Sequence, residues 1–189
     1  MNQNPFEQLI DILIGLYVTV ILLRFFLQYF RADFYNPLSQ FTVKATDPLI
    51  KPLRKIIPGF GGIDFSSLVA AYLVILLKSI VLSLIGSSYP FNIVFLLLFT
   101  FVELLQSILG LFMFLIIIRV ILSWVAPAGY NPVLAVIGQI SEPIVAKFRR
   151  LLPTMTGFDF SPMLALIVIY FLQLSINYYL IPIVRQILF

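Results

Sequence analysis

Ionisable and amide side chains inside long apolar runs are the first candidates for chemistry in this chain. They are Asp11, Lys78, Glu103, Gln106, Gln173 and Asn177. A charge inside a membrane span is costly, and such residues mark ion paths, proton relays or helix-packing pairs. At about 1.5 Å per helical residue from Ser66, Lys78 stands about 18 Å into its run, just past mid-membrane. Pairing with Asp11 or Glu103 would there make an asymmetric polar cluster. A second set is basic and lies between the apolar runs: Lys51, Arg54 and Lys55, then Lys147, Arg149 and Arg150. Such cations suit the phosphates of anionic lipid or a docking partner. The chain has no cysteine and no histidine. That removes disulfides, thiol nucleophiles, iron–sulfur ligation and ordinary zinc or haem ligation. No Gly-rich phosphate loop, paired-carboxylate site or serine-based motif is present. The expectation is a protein that is not an enzyme and holds no metal or other cofactor.

The basic sets occur twice because the chain is written twice. Tyr35-Asn36-Pro37 recurs as Tyr130-Asn131-Pro132, an offset of 95 residues (35 to 130). The same offset carries Arg24 onto Arg119, Pro48 onto Pro143, Arg54 onto Arg149 and Pro58 onto Pro153. It also carries Gly62, Asp64, Phe65 and Ser66 onto Gly157, Asp159, Phe160 and Ser161. Apolar helices resemble each other cheaply; matched Asn, Arg, Gly, Asp and Pro do not. Two units follow, residues 1–90 and 91–189.

Composition places both units in a bilayer. The chain is 61% hydrophobic and only 11% charged, with mean hydropathy +1.09, against about 25% charged for soluble domains. Met1 to Gln8 lacks a basic region, so the first run reads as a retained span rather than a signal peptide. Four spans of about 20 residues are expected: Leu9 to Phe30, Ser66 to Ile85, Val102 to Val125 and Ser161 to Leu180. Gly86 to Pro90 reads as a turn. Phe91 to Thr100 is left over as an interfacial piece or a helical extension. The fold class is an all-α integral membrane protein, its four transmembrane helices forming two parallel-repeat hairpins. Lys and Arg concentrate in the segments joining the spans of each hairpin, and Arg24 and Arg119 lie close enough to those segments to snorkel. The positive-inside rule then puts both segments in the cytoplasm and both termini outside. The pI near 9.4 reads as basic loops on anionic lipid, with no nucleic acid bound directly.

Each joining segment reads as Pro-rich and amphipathic. Asn36-Pro37 and Asn131-Pro132 look like an N-cap with proline at the first helical position. Thr46-Asp47-Pro48 and Ser141-Glu142-Pro143 restart the same logic, and Pro52 argues against a continuous helix in the first copy. Leu49, Leu53 and Ile56 oppose Lys51, Arg54 and Lys55, as suits a helix lying among headgroups. Gly62 and Gly157 suit tight turns. Asp64 with Ser66, and Asp159 with Ser161, suit the N-terminus of the returning span. Capping explains Asn36, Asn131, Asp64 and Asp159 without any ligand.

The pattern Arg-x(10)-Tyr-Asn-Pro, then Asp/Glu-Pro-x(5)-Arg-Arg/Lys-x-x-Pro-x(3)-Gly-x-Asp-Phe-Ser, resembles the repeat of the YggT family over residues 6–85 and 101–180. The resemblance implies a bacterial plasma-membrane (inner-membrane) protein. Relatives of this type are linked to cell-division gene clusters, nucleoid distribution, assembly of membrane cytochromes, and tolerance of osmotic or ionic stress. It carries over no catalytic residue. Two functions stay open. One is a scaffold or assembly factor docking lipid and a membrane or cytoplasmic protein partner through Arg24, Asn36, Lys51, Arg54, Lys55, Arg119, Asn131, Lys147, Arg149 and Arg150. The other is ion permeation or osmoprotection through the cluster around Lys78.

Overall fold

The computed structural model describes residues 4–85, 91–125, 131–151 and 159–186. The expected turn at Gly86 to Pro90, and the positions of Tyr130, Pro153 and Gly157, lie outside them. The described residues are helical throughout, apart from short connections and one isolated bridge between Phe60 and Ile63.

The elements are α1 (Pro5–Tyr29), α2 (Pro37–Ile56), α3 (Phe65–Leu84), α4 (Ile93–Val125), α5 (Pro132–Arg149) and α6 (Ser161–Ser175). A π-turn over Ile176–Leu180 then leads into α7 (Ile181–Gln186). Three of these helices start on Asn-Pro. Asn4 accepts from Phe6 N at 3.1 Å, Asn36 from Leu38 N at 3.0 Å, and Asn131 from Val133 N at 2.9 Å. Each side chain satisfies an orphan amide, and each proline has none to leave unpaired. Asn92 does the same for α4, accepting from Val94 N at 2.9 Å.

Four helical stretches are long and apolar enough to cross a membrane: α1, α3, α4, and α6 continued through α7. The surplus apolar piece before Val102 is a helical extension. Helix α4 has 33 residues, about 50 Å at the usual rise, and its first turns pack Phe95 and Leu96 against Val184 of α7. The last stretch also outruns its expected end at Leu180, continuing to Gln186. Helices α1 and α3 are antiparallel. Asp11 near the start of α1 meets Lys78 of α3, while Arg24 near its end faces Asp64 at the head of α3. The main core draws on all six helices α1 to α6 and includes Ile21, Leu22, Ile50, Ile75, Ile116, Ile140 and Ile169. Outward faces stay apolar, with Leu16, Leu77, Phe114 and Phe171 more than half exposed. Lipid accepts such a surface; water does not.

Helices α2 and α5 lie across one end of the long helices, where α1 and α4 finish and α3 and α6 begin. The sequence suggested α2 would break at its prolines, but it runs unbroken through Pro48 and Pro52. A proline frees the carbonyl four residues back. Here those are Lys44 and Pro48, and both residues are exposed, so the freed groups can be solvated. Pro143 in α5 is likewise exposed, and so is Gln139, whose carbonyl it frees. The buried face of α2 is Ser39, Thr42, Thr46 and Ile50, while Phe41 and Ile56 are 62% and 78% exposed. Small hydroxyl side chains allow close approach to α1 and α3. Thr42 and Thr46 return their hydroxyls to Leu38 O and Thr42 O at 2.8 and 2.7 Å.

Candidate functional site

The matched polar residues assemble into one circuit per copy. In the first, Arg24 is 6% exposed and does not snorkel outward. Its Nη1 donates to Asp47 Oδ1 at 2.9 Å, Thr46 Oγ1 at 2.8 Å and Val43 O at 3.3 Å. Its Nε lies 3.9 Å from Asp64 Oδ2. Pairing inside the protein replaces the expected lipid contact, because a carboxylate within the same unit is nearer than any headgroup. Arg54 donates to the same Asp64 oxygen, and to Gln28 Oε1 at 3.4 Å. Asp64 also accepts from Ser66 Oγ, and from Ser67 Oγ at 2.7 Å. Its carboxylate therefore binds hydroxyls and guanidinium instead of the first amides of α3.

The second copy repeats the circuit with different wiring. Arg119 donates to Glu142 Oε2 at 2.6 Å and Ser141 Oγ at 3.2 Å. Arg149 donates to Glu142 Oε1, and to Asp159 Oδ2 at 2.7 Å. Asp159 turns its other oxygen to the amide of Ser161 at 2.9 Å. The extra methylene of Glu142, where the first copy has Asp47, lets one carboxylate serve both arginines. This circuit is more open. The Arg119 side chain is 26% exposed against 7% for that of Arg24, and the Asp159 side chain is 42% exposed against none for that of Asp64.

The electrostatics follow the wiring. Burial pushes the Asp64 carboxyl up, but hydrogen bonds from Ser66, Ser67 and Arg54 outweigh it and hold the group below the usual range. Lys51, at 2.8 Å, and then Arg24 keep Asp47 low. Burial likewise raises Glu142, and Arg149 with Arg119 overcomes it. Asp159 is lowered chiefly by Ser161, with help from Arg149. All four carboxylates are thus tuned to stay charged.

The two copies are tied where α2 meets α5. Asn36 caps α2 with its oxygen and donates its amide to Pro132 O at 2.5 Å. The backbone N–H of Asp33 donates to Gln139 Oε1 at 2.9 Å. Asn131 spends its oxygen on Val133 and Leu134. Pro37 and Pro132 open their helices. Gly61 and Gly62, at φ 63° and 84°, make the turn that pairs Phe60 with Ile63. Lys51, Lys55, Lys147 and Arg150 stay exposed. Arg54 and Arg149 are 44% and 43% exposed while holding their partners.

At the opposite end Lys78 contacts both acids, with Asp11 at 2.8 Å and Glu103 closer still. This joins α1, α3 and α4. Ser161, at the other end, is buried at the head of α6. Gln106 donates to Asn177 Oδ1 at 2.6 Å. Gln173 lies over Gly110, where a Cβ would stand 3.7 Å from its Nε2. Among the described residues, no group of three His, Cys, Asp or Glu is placed to hold a metal ion.

Sequence reasoning missed Asp47 and Glu142 as counter-ions, reading both as helix caps. The signal was present: an acid recurring with each in-span arginine, which needs a counter-charge. It also missed Gln28 and Arg31, for which nothing recurs.

Four membrane-length helices, with cross-helices at one end, define a multi-pass helical membrane protein. The chain belongs to the CCB3/YggT family, whose model matches residues 3–85 and again 98–180. It is similar to an uncharacterized protein of Pseudomonas aeruginosa, 49% identical over 152 residues, covering 80% of this chain and 77% of that one. A Vibrio alginolyticus protein is 46% identical over 160 residues, 84% of this chain and 85% of its own length. The uncharacterized protein YggT of Escherichia coli K12 is 39% identical over 173 residues, 92% and 89% of the two chains. No solved structure matches the chain.

Proposed function

We propose that this chain is a non-enzymatic inner-membrane scaffold or assembly factor, with two membrane hairpins whose amphipathic cross-helices face the cytoplasm. Those helices dock anionic lipid and a protein partner. The observation that carries the reading is the joining of α2 to α5 by Asn36 and Gln139. It makes one surface from two copies and leaves the cations of both outside: Lys51, Lys55, Lys147 and Arg150. Near an anionic surface each such charge is worth about 1 kcal/mol. The circuits tie α2 and α5 to the spans through buried and half-buried ion pairs, as suits a docking platform.

The test replaces Lys51, Lys55, Lys147 and Arg150 together with Gln, sparing the arginines of the circuits. In a strain lacking the protein, the variant should accumulate normally in the membrane and fail to restore growth under osmotic stress. Full restoration by the variant would defeat the docking reading.

Ion permeation is the second reading, favoured by the charged cluster of Lys78, Asp11 and Glu103. A lysine clamped between two carboxylates is better suited to locking three helices than to passing ions. Ion flux in proteoliposomes that is abolished by neutralising all three residues would favour permeation.

A further inference from the structure

Arg31 occupies a position that ordinarily belongs to glycine. Helix α1 closes with a paired C-terminal motif: Ala32 N donates to Leu27 O at 2.9 Å and Arg31 N to Gln28 O at 3.1 Å. This motif needs a left-handed residue, and glycine is its usual occupant. Arg31 adopts φ 51°, the only positive φ outside glycine among the described residues. A side chain there is disfavoured, and strain of this kind persists where the surroundings or a function demand it. The two closing bonds account for the backbone angle but not for the side chain, since the Arg31 guanidinium is exposed and makes no hydrogen bond or ion pair among the described residues.

What Arg31 does is line a cleft. The cleft encloses about 480 Å³ between the end of α1 and α2, and Arg24, Arg54, Gln28 and Asp47 share its wall with Arg31. Asp47 and Asp64 answer Arg24 and Arg54, so the three guanidiniums carry one charge in excess, that of Arg31. Leu27, Phe34 and Val43 supply an apolar side. The volume lies in the range of small-molecule sites, larger than a lone phosphate requires. Arg24 and Arg54 are already oriented by Asp47 and Asp64, so their geometry is set in advance, and Arg31 is the free fork. The second copy lacks two of these residues in its sequence: Gln28 and Arg31 correspond to Ser123 and Ala126.

We propose that this cleft binds the phosphate of an anionic phospholipid headgroup, with Arg31 as its principal ligand and the apolar wall against the glycerol and upper acyl chain. The proposal rests on the reading of α2 and α5 as a lipid-facing surface, and sharpens it from general attraction to a single site in the first copy.

The experiment uses the full chain in phosphatidylcholine nanodiscs. It is titrated with dihexanoyl phosphatidylglycerol and, separately, with inorganic phosphate, by calorimetry. Arg31→Gly removes the guanidinium and suits the left-handed backbone. It should weaken phosphatidylglycerol binding at least about tenfold while the unfolding midpoint stays level or rises. Lys44→Gln, which removes an exposed charge of α2 outside the cleft, should change binding by no more than about twofold. Equal weakening by both variants overturns the cleft and leaves general lipid attraction standing. No preference of the wild-type chain for the anionic lipid overturns both. Inorganic phosphate binding as tightly as the lipid overturns the lipid assignment, since the apolar wall would then contribute nothing.

Discussion

Replacing Asp64 with Asn removes a charge at the most enclosed point of the first circuit. The carboxylate has no exposed surface and accepts from Arg54, Ser66 and Ser67, with Arg24 Nε at 3.9 Å. The amide keeps the volume and loses the charge. Hydrogen bonds to a charged group are worth about 1.5–3 kcal/mol each. Arg54 is 44% exposed and regains water, which discounts its share to about 1 kcal/mol or less. The enclosed serines regain none: they donate to different oxygens of Asp64, so only one can still donate to the amide oxygen and the other must accept from the amide NH2. The expected loss is about 3 kcal/mol, the lower end for breaking a buried pair. Asp159→Asn makes the same change where the carboxylate is 42% exposed and Glu142 still holds Arg149. There the loss should be about 1 kcal/mol or less. Unfolding in mixed micelles by dodecyl sulfate, followed by the fluorescence of the single tryptophan, Trp124, measures both. Equal losses at the two positions would refute the assignment of burial as the deciding term. Acid supplies a second check. Asp64 is held below its ordinary value of 3.8. Its contribution is therefore complete above the unfolded-state pKa and is lost as pH falls through the lower folded value. The gap between wild type and Asp64→Asn should accordingly close below about pH 4.

Asn36→Ala should cost about 1 kcal/mol for the cap and about 1 kcal/mol more for the bond to Pro132 O. Asn131→Ala should lose only the cap, and the same micelle titration reads the difference. Lys78→Gln should destabilise by about 3–5 kcal/mol, because it strands two carboxylates. Adding Asp11→Asn and Glu103→Gln should recover most of that loss, and a triple variant no better than the single one would sink the pairing argument. Single cysteines at Asn4, Lys51 and Lys147, placed in a chain with none of its own, report orientation. In intact cells an impermeant thiol reagent should label Asn4 alone, and labelling at Lys51 or Lys147 would reverse the topology.

The membrane class and the duplication were legible because both depend on residue type and offset alone. So were Arg24, Arg54 and Asp64 and their counterparts Arg119, Arg149 and Asp159, since arginine and aspartate recurring between apolar runs have few explanations. Their connections were not. Asp47 before Pro48 and Glu142 before Pro143 satisfy the local signature of a helix start, and only three-dimensional proximity shows that they answer Arg24 and Arg119. Helix α2 shows the same limit. Local rules break a helix at proline, and the outcome turned on whether the freed carbonyls face outward. The buried face of α2 carried no apolar signal, because Ser39, Thr42 and Thr46 pair their hydroxyls internally and can be buried. Leu49 and Leu53 only border the core. Arg31 carries no local signal, as its oddity is a backbone angle.

The placement of Arg24 bears on how the chain is made. A guanidinium within a span is costly in lipid until its carboxylates arrive. Asp47 and Asp64 both follow Arg24 in the chain, so its charge is answered only once α2 and the head of α3 are in place. The first copy therefore answers Arg24 from within its own residues. Lys78 differs: Asp11 is already present when it emerges, but Glu103 belongs to the second copy. That contact ties the first copy to the second, so Lys78 has both its acids only when residues of the two copies are assembled together.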